Sequence, residues 1–133
     1  RVTDFEIGFP PGRKFENGEL KPDTQVLDEQ AVLFNVKGKG LVVVTSCSHP
    51  GIINTLLYAQ KLTGEKKIYA VIGGFHLTGP WQSLVERTVE EMKKFSPEIV
   101  VPTHCTGWKG VNRFAQEMPG QFVLNSVGTK IIL

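Results

Sequence analysis

Three observations predict an α/β fold with a partly parallel sheet. Short runs of β-branched and apolar residues occur at Leu41 to Ser46, Ile68 to Ile72 and Ile99 to Val101, and each is followed by a stretch with helical periodicity. The switches from strand to helix carry Pro50-Gly51, Gly73-Gly74 and Pro102, residues suited to sharp changes of direction. Every histidine and cysteine lies just past the end of one of these strands, at the edge where open α/β sheets bind ligands.

Residues Arg1 to about Gln25 carry Pro10-Pro11-Gly12, Asn17-Gly18 and Pro22 with few periodic apolar positions, and read as turn and loop. The expected division is an extended lead-in over 1–27 and a folded part over 28–133. A structureless lead-in of that length is uncommon in a compact domain, so it is expected to pack on something else. Ala31 to Val36 reads as a strand, Lys37-Gly38-Lys39-Gly40 as a hairpin connection, and Leu41 to Ser46 as the returning strand. Ile52, Ile53, Leu56, Leu57, Ala59 and Leu62 form a helical stripe that stops at Gly64.

After the strand Ile68 to Ile72, Thr78 stands as an N-cap ahead of Pro80. One helix is then expected through Trp81, Leu84, Val85, Val89, Met92 and Phe95, with acids early and bases late on its other face. Ser96-Pro97 ends it. Ile99 to Val101 runs into Pro102-Thr103-His104-Cys105, a brief helix follows from Val111 to about Met118, and Phe122 to Asn125 with Lys130 to Leu133 reads as a closing pair of strands.

With 133 residues the chain is long enough for one domain with a real core. Hydrophobic residues at 41% and charged residues at 21% fit a globular protein, and a net charge of +2 gives no case for a nucleic-acid surface. No apolar run is long enough to span a bilayer, and no signal-peptide pattern is visible. Two cysteines do not make a disulfide framework, although a Cys47–Cys105 bridge stays open on sequence alone. A reducing cytoplasm with free or metal-bound thiols is expected.

Cys47 and His49 follow the first buried strand, His76 the second, and His104 with Cys105 the third. Any one of them has a bland reading: a buried thiol, a capping or hydrogen-bonded imidazole. Their confinement to one sheet edge argues for a shared site. Imidazole and thiolate are favoured zinc ligands and also serve other divalent transition metals. Neither His-x-His nor His-Glu-x-x-His occurs, so the chain offers candidate ligands without a complete metal motif. Trp81 and Trp108 flank the loops as core or pocket wall, and Lys109 is a surface lysine or a phosphate contact.

Gly40 to Ile52, Val71 to Leu77 and Val101 to Gly107 together resemble the metallo-β-lactamase-fold superfamily, as does Asp28-Glu29-Gln30-Ala31 before the first strand. The branch resembled is that of metal-dependent hydrolases related to the dihydropterin-ribofuranosylaminobenzene-phosphate synthase. The resemblance implies an αβ/βα sandwich whose two halves each give ligands to a metal site. The His-x-His-x-Asp-His motif of the N-terminal half is absent. The chain is therefore expected to be the C-terminal half, and Arg1 at its start fits a split subunit, a proteolytic fragment or a truncated product.

By the same resemblance His104 matches the last metal-binding histidine, and Cys47 takes the place of the bridging aspartate. His49 binds metal or orients substrate, and His76 is a ligand or a proton donor. The implied function is a metal-dependent hydrolase acting on a small-molecule substrate once joined to its partner half. The alternative is a non-catalytic half-domain module acting as a stable dimer of two copies or as a binding protein. A cysteine-nucleophile enzyme is a third option.

Overall fold

The structure is a computed structural model and describes residues 2–6, 12–23, 26 and 28–133. Its centre is a four-stranded sheet in the order β3-β4-β5-β6, formed by β3 (Ala31–Val36), β4 (Gly40–Thr45), β5 (Ile68–Gly74) and β6 (Ile99–Thr103). Hairpin pairing of β3 with β4 is antiparallel, while β4, β5 and β6 run parallel, as the alternation of strands and helices requires. The crossovers are α1 (Ile52–Thr63) and α2 (Val85–Phe95), and α3 (Gly107–Glu117) follows the last strand. The fold is α/β, as expected from sequence.

The two faces of the sheet differ. One packs against all three helices: Leu41, Val43, Ile68, Val71 and Val100 meet Ile52, Leu56, Val85, Val89, Met92 and Phe114 in one buried cluster. The other face gathers Val42, Tyr69 and Ala70, with Val36, Val44, Ile72 and Ile99 beside them, and no helical residue joins that cluster among the described residues. β4 and β5 are thus apolar on both faces, which is why they read in sequence as unbroken runs rather than alternations.

Residues 2–6 are tied down by α1. This helix begins at Gly51 without a side-chain cap of its own. The buried Glu6 carboxylate fills that role, accepting the N–H groups of Ile53 (2.9 Å) and Asn54 (2.7 Å), so a negative charge meets the positive end of the helix. A Cβ at Gly51 would lie 2.2 Å from the Glu6 carboxyl carbon, which explains the glycine there. Asn54 accepts from the N–H groups of Val2 and Thr3, and Arg87 lies over Phe5 and pairs with Asp4.

Four expectations are corrected. First, residues 12–23 form an antiparallel hairpin, β1 (Gly12–Glu16) and β2 (Glu19–Asp23), instead of a loop. Asn17 and Gly18 both have positive φ, 54° and 82°, as a tight two-residue hairpin turn demands. The mostly charged, exposed strands hid the pattern. The turn read at Pro10-Pro11 lies outside the described residues.

Second, the closing strand pair does not form. Phe122 makes an isolated bridge to Val100, and residues 130–133 are not in a strand. Ile132 is almost fully exposed, so its apolar side chain has no partner strand to pack on.

Third, the helix expected from Trp81 to Phe95 is two elements, a 3-10 turn (Gly79–Leu84) and then α2; Thr78 precedes the turn but makes no side-chain cap bond. Fourth, α3 starts at Gly107, ahead of Val111. The ends of α2 behave as expected: Glu86 lies in its first turn, Lys93 and Lys94 in its last, and Ser96 closes it in the left-handed conformation. No helix among the described residues is long and apolar enough to cross a membrane.

Candidate metal and catalytic site

Parallel pairing puts the ends of β4, β5 and β6 side by side, and backbone bonds then staple the three following loops together. Gly74 N donates to Ser46 O (2.9 Å) and Leu77 N to Cys105 O (3.0 Å), while Phe75 N donates to the buried Thr106 hydroxyl (3.0 Å). Among the non-glycine residues with positive φ, Ser48 (58°), His76 (49°) and His104 (48°) fall one in each loop. Such backbone is costly by about 1–3 kcal/mol per residue and persists where surroundings over-determine it. Here it turns side chains of three separate loops toward one edge.

Two groups result. In the first, Cys47, His104 and Cys105 bring their donor atoms within 4.8 Å of one another, with Cys47 Sγ 3.4 Å from His104 Nδ1. Both cysteines are free thiols, so the bridge left open on sequence is not made. Cys105 Sγ donates to the Cys47 carbonyl at 3.5 Å. Burial pushes the Cys105 thiol up to about 11, with the neighbouring Cys47 adding to the rise. A Cβ on Gly74 would lie 2.7 Å from Cys105 Sγ and 2.6 Å from Ser46 O, so the missing side chain makes the space this thiol occupies.

The second group is built on Glu29, a residue not singled out as a ligand or catalyst on sequence. Its Oε1 accepts the Ser46 hydroxyl (2.6 Å), the Ser48 N–H (3.1 Å) and the Cys47 N–H (3.4 Å), and its Oε2 pairs with His49 Nδ1. Burial works to raise the Glu29 carboxyl, but the Ser46 hydroxyl, His49 and the Ser48 N–H together hold it below the usual carboxylate range. His49 therefore orients toward Glu29 and not toward the α1 terminus, which Glu6 already serves. Its ring lies 4.8 Å from that of His76, which in turn meets Trp81 edge-on at 4.9 Å. Burial, and then the neighbouring His49, lower the pKa of His76.

A cavity of about 410 Å³ opens beside this second group, lined by His49, His76, Trp81, Phe5 and the buried hydroxyl residues Ser48 and Thr88. Trp81 is thus a pocket wall, whereas Trp108 is 77% exposed. Of the sequence-derived site residues, Cys47 and His104 meet in the first group and His49 and His76 in the second. Cys105 joins the first.

Thiolate and imidazole are soft to borderline donors, and a tetrahedral zinc with bonds of about 2.0–2.3 Å separates its ligand atoms by roughly 3.4–3.8 Å. The Cys47–His104 spacing already matches, and the 4.8 Å limit for the group leaves small side-chain adjustments. The donor set fits such an ion.

No family model matches the chain. In fold and sequence it nevertheless resembles the metallo-β-lactamase-fold superfamily. In structure it is similar to a metal-dependent hydrolase of the beta-lactamase superfamily, with a TM-score of 0.79 and 33% identity, over 96% of this chain and 50% of that one. In sequence it is 38% identical over 109 residues to the 7,8-dihydropterin-6-methyl-4-(beta-D-ribofuranosyl)-aminobenzene-5'-phosphate synthase of Methanocaldococcus jannaschii, covering 82% of this chain and 36% of the synthase. An uncharacterized protein of the same archaeon is 37% identical over 113 residues, 85% of this chain and 41% of that protein. The chain thus spans well under half the length of these curated relatives.

Proposed function

We propose that this chain supplies one half of a metal-dependent hydrolase site, completed by a half that carries His-x-His-x-Asp-His. The observation that carries the proposal is the convergence of Cys47, His49, His76 and His104 from three loops onto one sheet edge. The second face of the sheet, where Val36, Val44, Ile72 and Ile99 stay only partly buried and no described helix joins the cluster, supports it, because a complementary half would bury those side chains further.

His104 and Cys47 bind the ion, zinc by the softness of the donors. His49 is a further ligand: a metal-binding histidine commonly gives its other ring nitrogen to a carboxylate, as His49 does to Glu29. The bound metal would lower the pKa of water and polarise a substrate oxygen. His76, kept largely neutral near pH 7 by burial and by His49, accepts or returns a proton at one ring nitrogen. Trp81 and the adjoining cavity of about 410 Å³, a size suited to small molecules, hold the substrate.

Co-expression with a His-x-His-x-Asp-His half tests the proposal. Stoichiometric metal by elemental analysis, and hydrolysis of p-nitrophenyl esters or phosphodiesters by the complex, are expected. A complex that retains no metal after purification contradicts it. A second reading, a non-catalytic dimer of two copies, draws on the open β3 edge, where Val32 and Phe34 are each 53% exposed. A metal-free dimer by light scattering would favour that reading.

A further inference from the structure

We propose that Cys105 is a metal ligand, so that Cys47, His104 and Cys105 form a two-thiolate, one-imidazole site able to hold zinc on this chain alone. The inference rests on the reading that this edge binds a metal, but it needs no partner half and adds a ligand that reading does not use.

Three observations carry it. Among the described residues this is the group of three whose donor atoms come within 4.8 Å of one another. All three stand on rigid supports: Cys47 follows β4, and His104 and Cys105 form a 3-10 turn directly after β6, locked by Leu77 N on the Cys105 carbonyl. The space for the second thiol is built in, since any side chain at Gly74 would collide with Cys105 Sγ at 2.7 Å. Two adjacent thiols with one imidazole form a softer set than the oxygen-rich donors that suit magnesium or manganese, so the site should prefer zinc and cobalt.

Binding is written simply. Each thiol gives its proton to solvent as its sulfur takes the ion, and the imidazole binds through a lone pair without losing a proton. These three protein ligands would leave a fourth position to His49 or to water.

The test uses the full chain with a non-thiol reductant. Titration with cobalt(II) should give a thiolate-to-metal absorption band that saturates at one ion per chain and disappears when zinc is added. In Cys105→Ser the band should fall to about half and zinc affinity should drop more than the roughly 10–100-fold typical of losing an outer-shell partner. Magnesium should not compete. An unchanged band and affinity in Cys105→Ser, with far-UV circular dichroism showing a folded chain, would overturn the inference.

If that variant fails to fold, the wild-type chain decides. Zinc should slow alkylation of both Cys47 and Cys105 by iodoacetamide, read residue by residue by mass spectrometry. Protection of Cys47 alone, or of neither thiol, overturns the proposal. Failure here leaves the joined-halves test of the hydrolase reading separate, because that test needs metal bound by His104, Cys47 and the complementary half.

Discussion

The two groups at the sheet edge are neighbours with opposite economies of contact. Glu29, His49 and Ser46 satisfy one another: a carboxylate collects a hydroxyl, two backbone N–H groups and an imidazole, and ends up more acidic than usual. Cys47, His104 and Cys105 are joined by a 3.4 Å sulfur–nitrogen contact and a 3.5 Å thiol–carbonyl bond, weak interactions for three donors held on strained or rigid backbone. The contrast separates a carboxylate that holds the loops, and the His49 ring with them, in place from a group whose donors are left largely to bind something else.

The largest effect that would break this comparison falls on Glu29. Its side chain is 9% exposed and its partners have few alternatives, so Glu29→Ala should cost about 1.5–3 kcal/mol in urea unfolding, the range for hydrogen bonds to a charged group. Because the folded carboxyl is more acidic than the unfolded one, its contribution is present above the ordinary value of 4.5 and is lost as pH falls through the lower folded value. Glu29→Gln should therefore flatten the stability profile as pH falls below 4.5. A variant with the wild-type profile would show that Glu29 holds nothing in place.

A smaller effect links His49 to His76. Burial is the first cause of the lowered His76 pKa and His49 the second, so His49→Gln should raise the His76 midpoint by NMR without restoring the ordinary 6.5. The sign is fixed: between the folded value and 6.5 the unfolded chain binds more protons, so this group favours folding as pH rises. No movement of the midpoint would separate the two rings electrostatically.

Much of this was legible in the sequence, and the rest has physical reasons for hiding. Leu41 to Thr45 and Ile68 to Ile72 declared themselves because strands buried on both faces must be apolar throughout. Together with Ile99 to Thr103, these strands delivered Cys47, His49, His76 and His104 to one edge by parallel pairing. The β1–β2 hairpin was missed because its exposed strands bury no stripe, leaving only the Asn17-Gly18 turn as a signal.

Glu29 was missed because its partners lie about 20 residues downstream. Yet the hairpin register held the information: Ala31 opposite Thr45 sets the residues just before β3 beside those just after β4. Extending that count by two places Glu29 next to Cys47. The role of Glu6 was beyond such counting, since its contact with α1 is a packing choice between distant segments.

The central claim is that this edge is half of a metal site. Crystals of the chain joined to a His-x-His-x-Asp-His half and grown with zinc, measured on both sides of the zinc absorption edge, test it most directly. The account predicts an anomalous peak within about 2.0–2.3 Å of His104 and Cys47 donor atoms. No peak at this edge, or zinc bound solely by residues of the other half, would contradict it.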